Sequence, residues 1–188
     1  NRPIANKWGI YQFLYQSPRI RPHLPATRVY ESHGHLLDFL RGGRKLVYLK
    51  PINGTGGRGI LRLERKSNGT YLLQGRDSRR RIIAPKLVTA RQLPKKLAAW
   101  HVKGRYLIQQ GIPSRLPDGR VFDFRLLIQK NGNGEWEVTG CAGRVGPKMS
   151  ITSNLHGWGQ AVPMAELLGR IFPEDRIESI RTSVYELG

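Results

Sequence analysis

Cysteine is almost missing from this chain of 188 residues. Cys141 stands alone, so no disulfide framework forms, and no Cys/His spacing resembles a zinc site. That scarcity points to a reducing, intracellular setting. No apolar run approaches the roughly 18 residues that a membrane span requires, so a membrane partner is not expected. The chain opens on Asn1 without the apolar run of a signal peptide, which reads as a fragment of something longer. Acidic residues are also scarce: 13 Asp and Glu against 32 Lys and Arg leave a formal charge of +19. What is present is a foldable composition, with 39% hydrophobic residues, 22 glycines and four tryptophans, which excludes disorder.

A charge surplus of this size invites nucleic acid, because clustered cations release counterions from a phosphate backbone. The densest run is Arg76, Arg79, Arg80 and Arg81, and no RNA- or DNA-binding signature or array of stacking aromatics accompanies it. A solvated basic surface, or attraction toward polyanions including nucleotide phosphates, is the preferred reading.

Periodicity organises the chain as mixed helices and hairpins. Trp8, Ile10, Tyr11 and Leu14 space residues 6 to 16 as a helix, broken by Pro18 and Pro22. Leu36, Leu37 and Leu40 mark a second helix from Ser32 to Arg41, closed by Gly42 and Gly43. Strands are expected at Leu46 to Pro51, Ile60 to Arg65, Thr70 to Gln74 and Arg105 to Gln110, with a turn at Ser67-Asn68-Gly69. Residues 89 to 103 read as a helix with Pro94 near its first turn.

From Val121 the residues alternate, and Asn131 to Gly134 is a turn into a returning strand, Glu135 to Arg144. If the loop is those four residues, Lys130 pairs with Glu135, Asp123 faces Ala142, Arg125 faces Gly140 and Arg144 lies opposite Val121. One face then carries Asp123, Arg125 and Arg144 around small residues, leaving room for a ligand. The tail from Pro163 to Leu187 is helical. The class is α+β with antiparallel sheets. The segments are 1–45, a helical lead-in, then 46–112 and 113–188.

Gly54-Thr55-Gly56-Gly57-Arg58-Gly59 matches G-x-G-x-x-G, but Ile60 to Arg65 alternates as a strand, so no helix N-terminus meets a pyrophosphate and the dinucleotide reading fails. No Lys-Ser or Lys-Thr closes the run, which excludes a Walker A loop. A protein kinase is disfavoured: the lysine precedes the loop, and Asp123-Phe124 continues into Arg125 with no H-R-D segment before it. What remains is a strand, glycine loop and strand that could cover phosphates, with Lys50 at the end of the first strand as a point charge.

Together, Tyr48-Leu49-Lys50-Pro51, the loop from Asn53 to Gly59, Leu107 to Ile112, Phe122-Asp123-Phe124-Arg125 and Ser153 to Gly159 resemble the ATP-grasp superfamily. The branch they resemble is the endospore coat-associated YheC/YheD family, to which Asn6-Lys7-Trp8 and His23 to Thr27 are also similar. The resemblance implies an ATP-grasp-like fold, with two lobes of antiparallel sheet and the second lobe incomplete. It implies ATP and magnesium as cofactors, and activation of a carboxylate as an acyl-phosphate for attack by an amine. Lys50 would then reach the α- and β-phosphates, with Gly54, Thr55, Gly56, Gly57 and Gly59 in a flap above them. Gln109, Gln110, Gly111 and Ile112 would form the hinge at the adenine edge. Asp123 would lie by the ribose or acceptor, Thr152, Ser153 and Asn154 would contact ATP, and Arg125 and Arg144 would be the catalytic cations.

The family holds magnesium with an acidic residue and a Glu-x-Asn pair, expected beyond Gly188, while Glu174, Asp175, Glu178 and Glu186 read as a solvated helix face. No metal ligand is assigned within the chain. Trp158 stands where a second glycine is usual. His33-x-His35 is explained by a surface loop, and Cys141 by a small residue in an apolar strand. The expectations are therefore an ATP-grasp ligase with unidentified carboxylate and amine substrates, a non-catalytic spore-coat or polyanion-binding protein on the same scaffold, or a basic nucleic-acid-binding module.

Overall fold

The computed structural model describes residues 6–155 and 158–188. Nine strands and five α-helices are described within these residues: α1 Lys7–Tyr15, β1 Thr27–Val29, α2 His33–Arg41, β2 Leu46–Pro51, β3 Ile60–Arg65, β4 Tyr71–Arg76, β5 Ile82–Val88, α3 Leu93–Ala98, β6 Tyr106–Gln110, β7 Phe122–Lys130, β8 Trp136–Val145, β9 Gln160–Pro163, α4 Met164–Gly169 and α5 Glu174–Glu186. The strands form two antiparallel sheets, ordered β1-β6-β2-β3-β4-β5 and β7-β8-β9. This is the α+β class read from the sequence. The chain divides into two compact units, Asn1–Pro113 and Ser114–Gly188.

In the first unit the helices start where polar caps permit. Asn6 accepts from the Gly9 N–H at 2.9 Å and Ser32 from the His35 N–H at 3.2 Å. Leu36, Phe39 and Leu40 of α2, with Leu93 and Leu97 of α3, join Val47, Leu49, Leu61, Leu63 and Ile108 in one buried cluster. Alternation along β2 sends Val47 and Leu49 into that cluster, and therefore turns Tyr48 and Lys50 to the opposite face of the sheet. The opposite face is polar and yet substantially covered: Thr27, Arg62, Gln74 and Arg76 are all buried.

The helix expected over 89–103 contracts to Leu93–Ala98, with Pro94 in its first turn. Upstream, Thr89 N–H is taken by the Gln92 side chain at 3.0 Å; downstream, His101 and Gly104 turn left-handed at φ 48° and 66°. Strands β1, β5 and β9 were not legible. β5 contains Pro85, tolerated because the strand lies at the sheet edge beside a bulge between Leu73 and Gly75.

In the second unit, Leu116, Val145 and Leu167 form the core, with Phe122, Phe124, Val162 and Ile171 packed on it. The β7–β8 register departs from expectation in two places. Lys130 pairs with Trp136 instead of Glu135, and a bulge between Leu127 and Ile128 leaves Thr139 without a partner residue. Each adds one residue, so Asp123 pairs with Arg144, not Ala142, and Arg125 pairs with Ala142, not Gly140. A displacement of two residues restores the original facing, and Asp123, Arg125 and Arg144 still share a side.

The buried guanidinium of Arg62 rests on Glu64 at 2.7 Å, and Glu64 also accepts from Lys66 at 2.6 Å. Burial pushes the Glu64 carboxyl up, but the bonds from Lys66 and Arg62 outweigh it and leave the group below its usual range. A depressed carboxyl contributes stability above its unfolded pKa and loses it as pH falls through the folded value. Glu64→Gln is expected to lower unfolding free energy by about 2 to 4 kcal/mol at pH 7, because it strands a buried charge. Denaturant titrations check this: the gap to the parent chain should narrow below about pH 4, and an equal gap at all pH values would contradict it.

Candidate functional site

Lys50 lies on the polar face of the first sheet, where the β2–β6 register sets Lys50 against Leu107 and Tyr48 against Gln109. Its ammonium donates to Gln109 Oε1 at 2.6 Å and sits 5.4 Å from the centroid of the Tyr48 ring. Gln109 Nε2 donates in turn to Thr27 Oγ1 at 3.0 Å, and that hydroxyl donates to the Pro25 carbonyl at 2.9 Å. Donor follows acceptor across β2, β6 and β1, which fixes the amide of Gln109 with its oxygen toward the lysine. A lysine selected from sequence for its place before a glycine loop is thus aimed by a residue selected as part of a hinge.

The loop after β2 needs glycine. Gly54, Gly56, Gly57 and Gly59 all have positive φ, from 64° to 114°, which only glycine adopts without strain. Gly59 is also hemmed in: a Cβ there would lie 3.0 Å from Tyr106 Oη and 3.2 Å from Pro51 Cγ. Gly54 borders open space, and Thr55 is exposed at the tip. Sequence reasoning missed the residue that holds the start of this loop. Lys7, in the first turn of α1, donates through Nζ to the carbonyls of Pro51 at 2.9 Å and Gly54 at 2.5 Å, while its backbone N–H reaches Ile52 O at 3.2 Å. Burial pulls the Lys7 ammonium below its ordinary pKa. No local pattern links Lys7 to Gly54, 47 positions away.

In the segment expected as a hinge, the Gln110 N–H is bound to Ala26 O and the Gly111 N–H to Leu46 O, each at 2.8 Å. Gly111 has no room for a side chain, since a Cβ would meet Leu46 Cγ at 2.3 Å. Ile112, 60% exposed, follows as the first residue outside these strand bonds.

In the second unit Arg144 Nε and Nη2 donate to the two carboxylate oxygens of Asp123, both at 2.6 Å. This bidentate bond raises the Arg144 pKa further above its already high ordinary value. Arg125 is exposed on the same face. Ser153 is buried, and Ser150 bridges to Thr152 through its hydroxyl, accepting from Thr152 N–H at 3.1 Å and donating to Thr152 O at 2.8 Å. Asn154 O accepts from the Gly159 N–H at 3.3 Å. Trp158 has φ 65° and is 88% exposed, so a tryptophan occupies a left-handed backbone position better suited to glycine. His156 and Gly157 of the same motif lie outside the described residues.

No group of three or more metal-binding side chains occurs among the described residues. Glu178 on α5 is bound to Arg181 at 2.7 and 3.0 Å, as a helix-face pair. Burial raises the Cys141 thiol, which argues against a nucleophile. No described helix is long and apolar enough to cross a membrane.

Comparison with known proteins shows the family. The model of the YheC/D-like ATP-grasp family matches residues 1–188. The chain is 33% identical over 181 residues to the endospore coat-associated protein YheD of Bacillus subtilis (strain 168), covering 96% of this chain and 39% of that protein. It is 30% identical over 164 residues to the endospore coat-associated protein YheC of the same organism, covering 86% and 43% respectively. The chain therefore spans about two fifths of the length of these relatives.

The Lys7 anchor makes a local prediction. Lys7→Met should speed hydrogen exchange of the amides at 52–57 by about tenfold, corresponding to about 1.4 kcal/mol for the lost charged bonds. Exchange in β3 and β4 should stay unchanged, and unaltered loop protection would show that the ammonium does not hold the loop.

Proposed function

Because the chain belongs to the YheC/D-like ATP-grasp family, we propose that its first unit binds ATP, within a protein that joins a carboxylate to an amine through an acyl-phosphate and acts at the endospore coat. The observation that carries the reading is the Lys50 ammonium fixed by Gln109 at 2.6 Å, on the strand that leads into the glycine loop. A lysine positioned in this way meets phosphate oxygens as a point charge without first having to be ordered. The glycine loop adds backbone N–H groups where no side chain obstructs the approach. With the Gln110 and Gly111 donors used in the sheet, the adenine edge falls to the backbone at Ile112.

In the second unit, Arg144 spends two of its five N–H donors on Asp123 and keeps the others for charge developing on a transferred phosphoryl group. Arg125 contributes a second cation from the same strand face, and Asp123, the second unit's candidate for the ribose or acceptor, orients Arg144. Thr152, Ser153 and Asn154 are the second unit's own candidates for contact with a nucleotide. Magnesium, which the family uses in general, finds no fitting donor set among the described residues: Asp123 is engaged by Arg144, and no cluster of carboxylates accompanies it.

Isothermal titration with the non-hydrolysable analogue AMP-PNP tests the reading. The parent chain should bind, and Lys50→Met should weaken binding by roughly ten- to hundredfold, the loss of one charge-assisted bond worth about 1.5 to 3 kcal/mol. Equal affinity in both chains would refute it. Tight, steeply salt-dependent binding of mixed-sequence DNA that survives Lys50→Met would favour the nucleic-acid reading instead.

A further inference from the structure

The basic run that the sequence reads as solvated surface is folded onto the glycine loop. β4 ends at Arg76 and β5 begins at Ile82, with residues 77 to 81 as the turn. Asp77 organises that turn: its Oδ1 accepts from the N–H groups of Arg79 and Arg81 at 2.8 and 2.9 Å, and its Oδ2 from Arg81 Nε at 2.7 Å. The carboxylate is thereby occupied by Arg79 and Arg81. Arg80, at φ 66°, projects elsewhere. Its guanidinium lies against Gly56, where a Cβ would stand 2.8 Å from Nη2 and 3.5 Å from Cζ. The Gly59 N–H donates to Asp77 O at 3.1 Å, which stitches turn and loop together.

Two further observations show that this cation is not simply solvated. Arg80 Nε is shut off from solvent and has no hydrogen-bond partner among the described residues. Arg76, buried at the end of β4, donates through Nε to Arg80 O at 3.2 Å, and burial followed by repulsion from Arg80 lowers its pKa. Four glycines at positive φ keep the neighbouring backbone free of side chains of its own.

We propose that Arg80 is a phosphate-binding residue, delivered by the β4–β5 turn to the glycine loop and backed by Arg76, and that it grips the outer phosphates of a nucleoside triphosphate. The identity of the anion as a nucleotide rests on the ATP reading above; the phosphate site itself does not. The division of labour is spatial: Lys50 belongs to the strand before the loop, and Arg80 charges the crook of the loop at Gly56.

The test compares AMP-PNP, AMP and inorganic tripolyphosphate, by calorimetry, on the parent chain, Arg80→Gln, Arg80→Lys and the exposed neighbour Arg79→Gln. Arg80→Gln should weaken AMP-PNP and tripolyphosphate tenfold or more and leave AMP unchanged; Arg80→Lys should recover part of the loss and Arg79→Gln should match the parent. In the parent chain, tripolyphosphate should also protect the amides of 56–59 and 77–81 from exchange, a readout independent of whether any variant folds. If Arg80→Gln binds AMP-PNP like the parent while Lys50→Met does not, the Arg80 assignment is overturned and the ATP reading stands. If the parent binds tripolyphosphate through Arg80 but not AMP-PNP, the phosphate site stands and the nucleotide reading falls. Binding of neither ligand overturns both.

Discussion

A lysine ammonium on a sheet surface is ordinarily solvated, and the arrangement described here depends on one that is half-buried and bonded to a neighbouring side chain. Lys50 is placed by alternation: Val47 and Leu49 are drawn into the apolar cluster under β2, and the even-numbered residues emerge on the other side. Gln109 then orients the amine, and Thr27 orients Gln109. The glycine loop, the Lys7 anchor and the Arg80 contact are all arranged after that strand end. If the core packing of β2 shifted by one residue, the amine would point into leucine side chains and none of the rest would have a centre.

The distribution of acids explains much of the remaining chemistry. Glu64, Asp77, Asp118, Asp123, Glu166 and Glu178 are each bonded to an arginine. Most of these pairs are exposed to water and screened by it, so each contributes little by itself. Their collective effect is to leave few carboxylates for a hard cation and many cations for anions. Within the formal surplus of +19, one cation, Arg80, has a defined place against Gly56.

Hairpins were legible because their signals are local: Ser67-Asn68-Gly69 and Asn131 to Gly134 announce turns by composition alone. Lys50 and the loop were legible because they adjoin in sequence. The shared face of Asp123, Arg125 and Arg144 survived an incorrect register only because the longer loop and the bulge at Thr139 together amount to a whole period of the strand. Contacts across distance were not legible. Lys7 meets Gly54 and Arg80 meets Gly56 through tertiary packing, and a run of arginines has the same composition whether it faces water or a loop. Strand β5 was hidden by Pro85, which reads as a breaker unless the strand is known to lie at an edge.

The central claim is that the amine of residue 50 lies against the phosphates of a bound nucleotide. An ATP acyl-phosphate probe transfers its acyl group to whichever lysine amine stands beside the phosphate chain, and peptide mass spectrometry then locates the modified residue. The account predicts acylation concentrated on Lys50 and suppressed by excess ATP. Labelling scattered over exposed lysines such as Lys95 and Lys96, and indifferent to ATP, would contradict it.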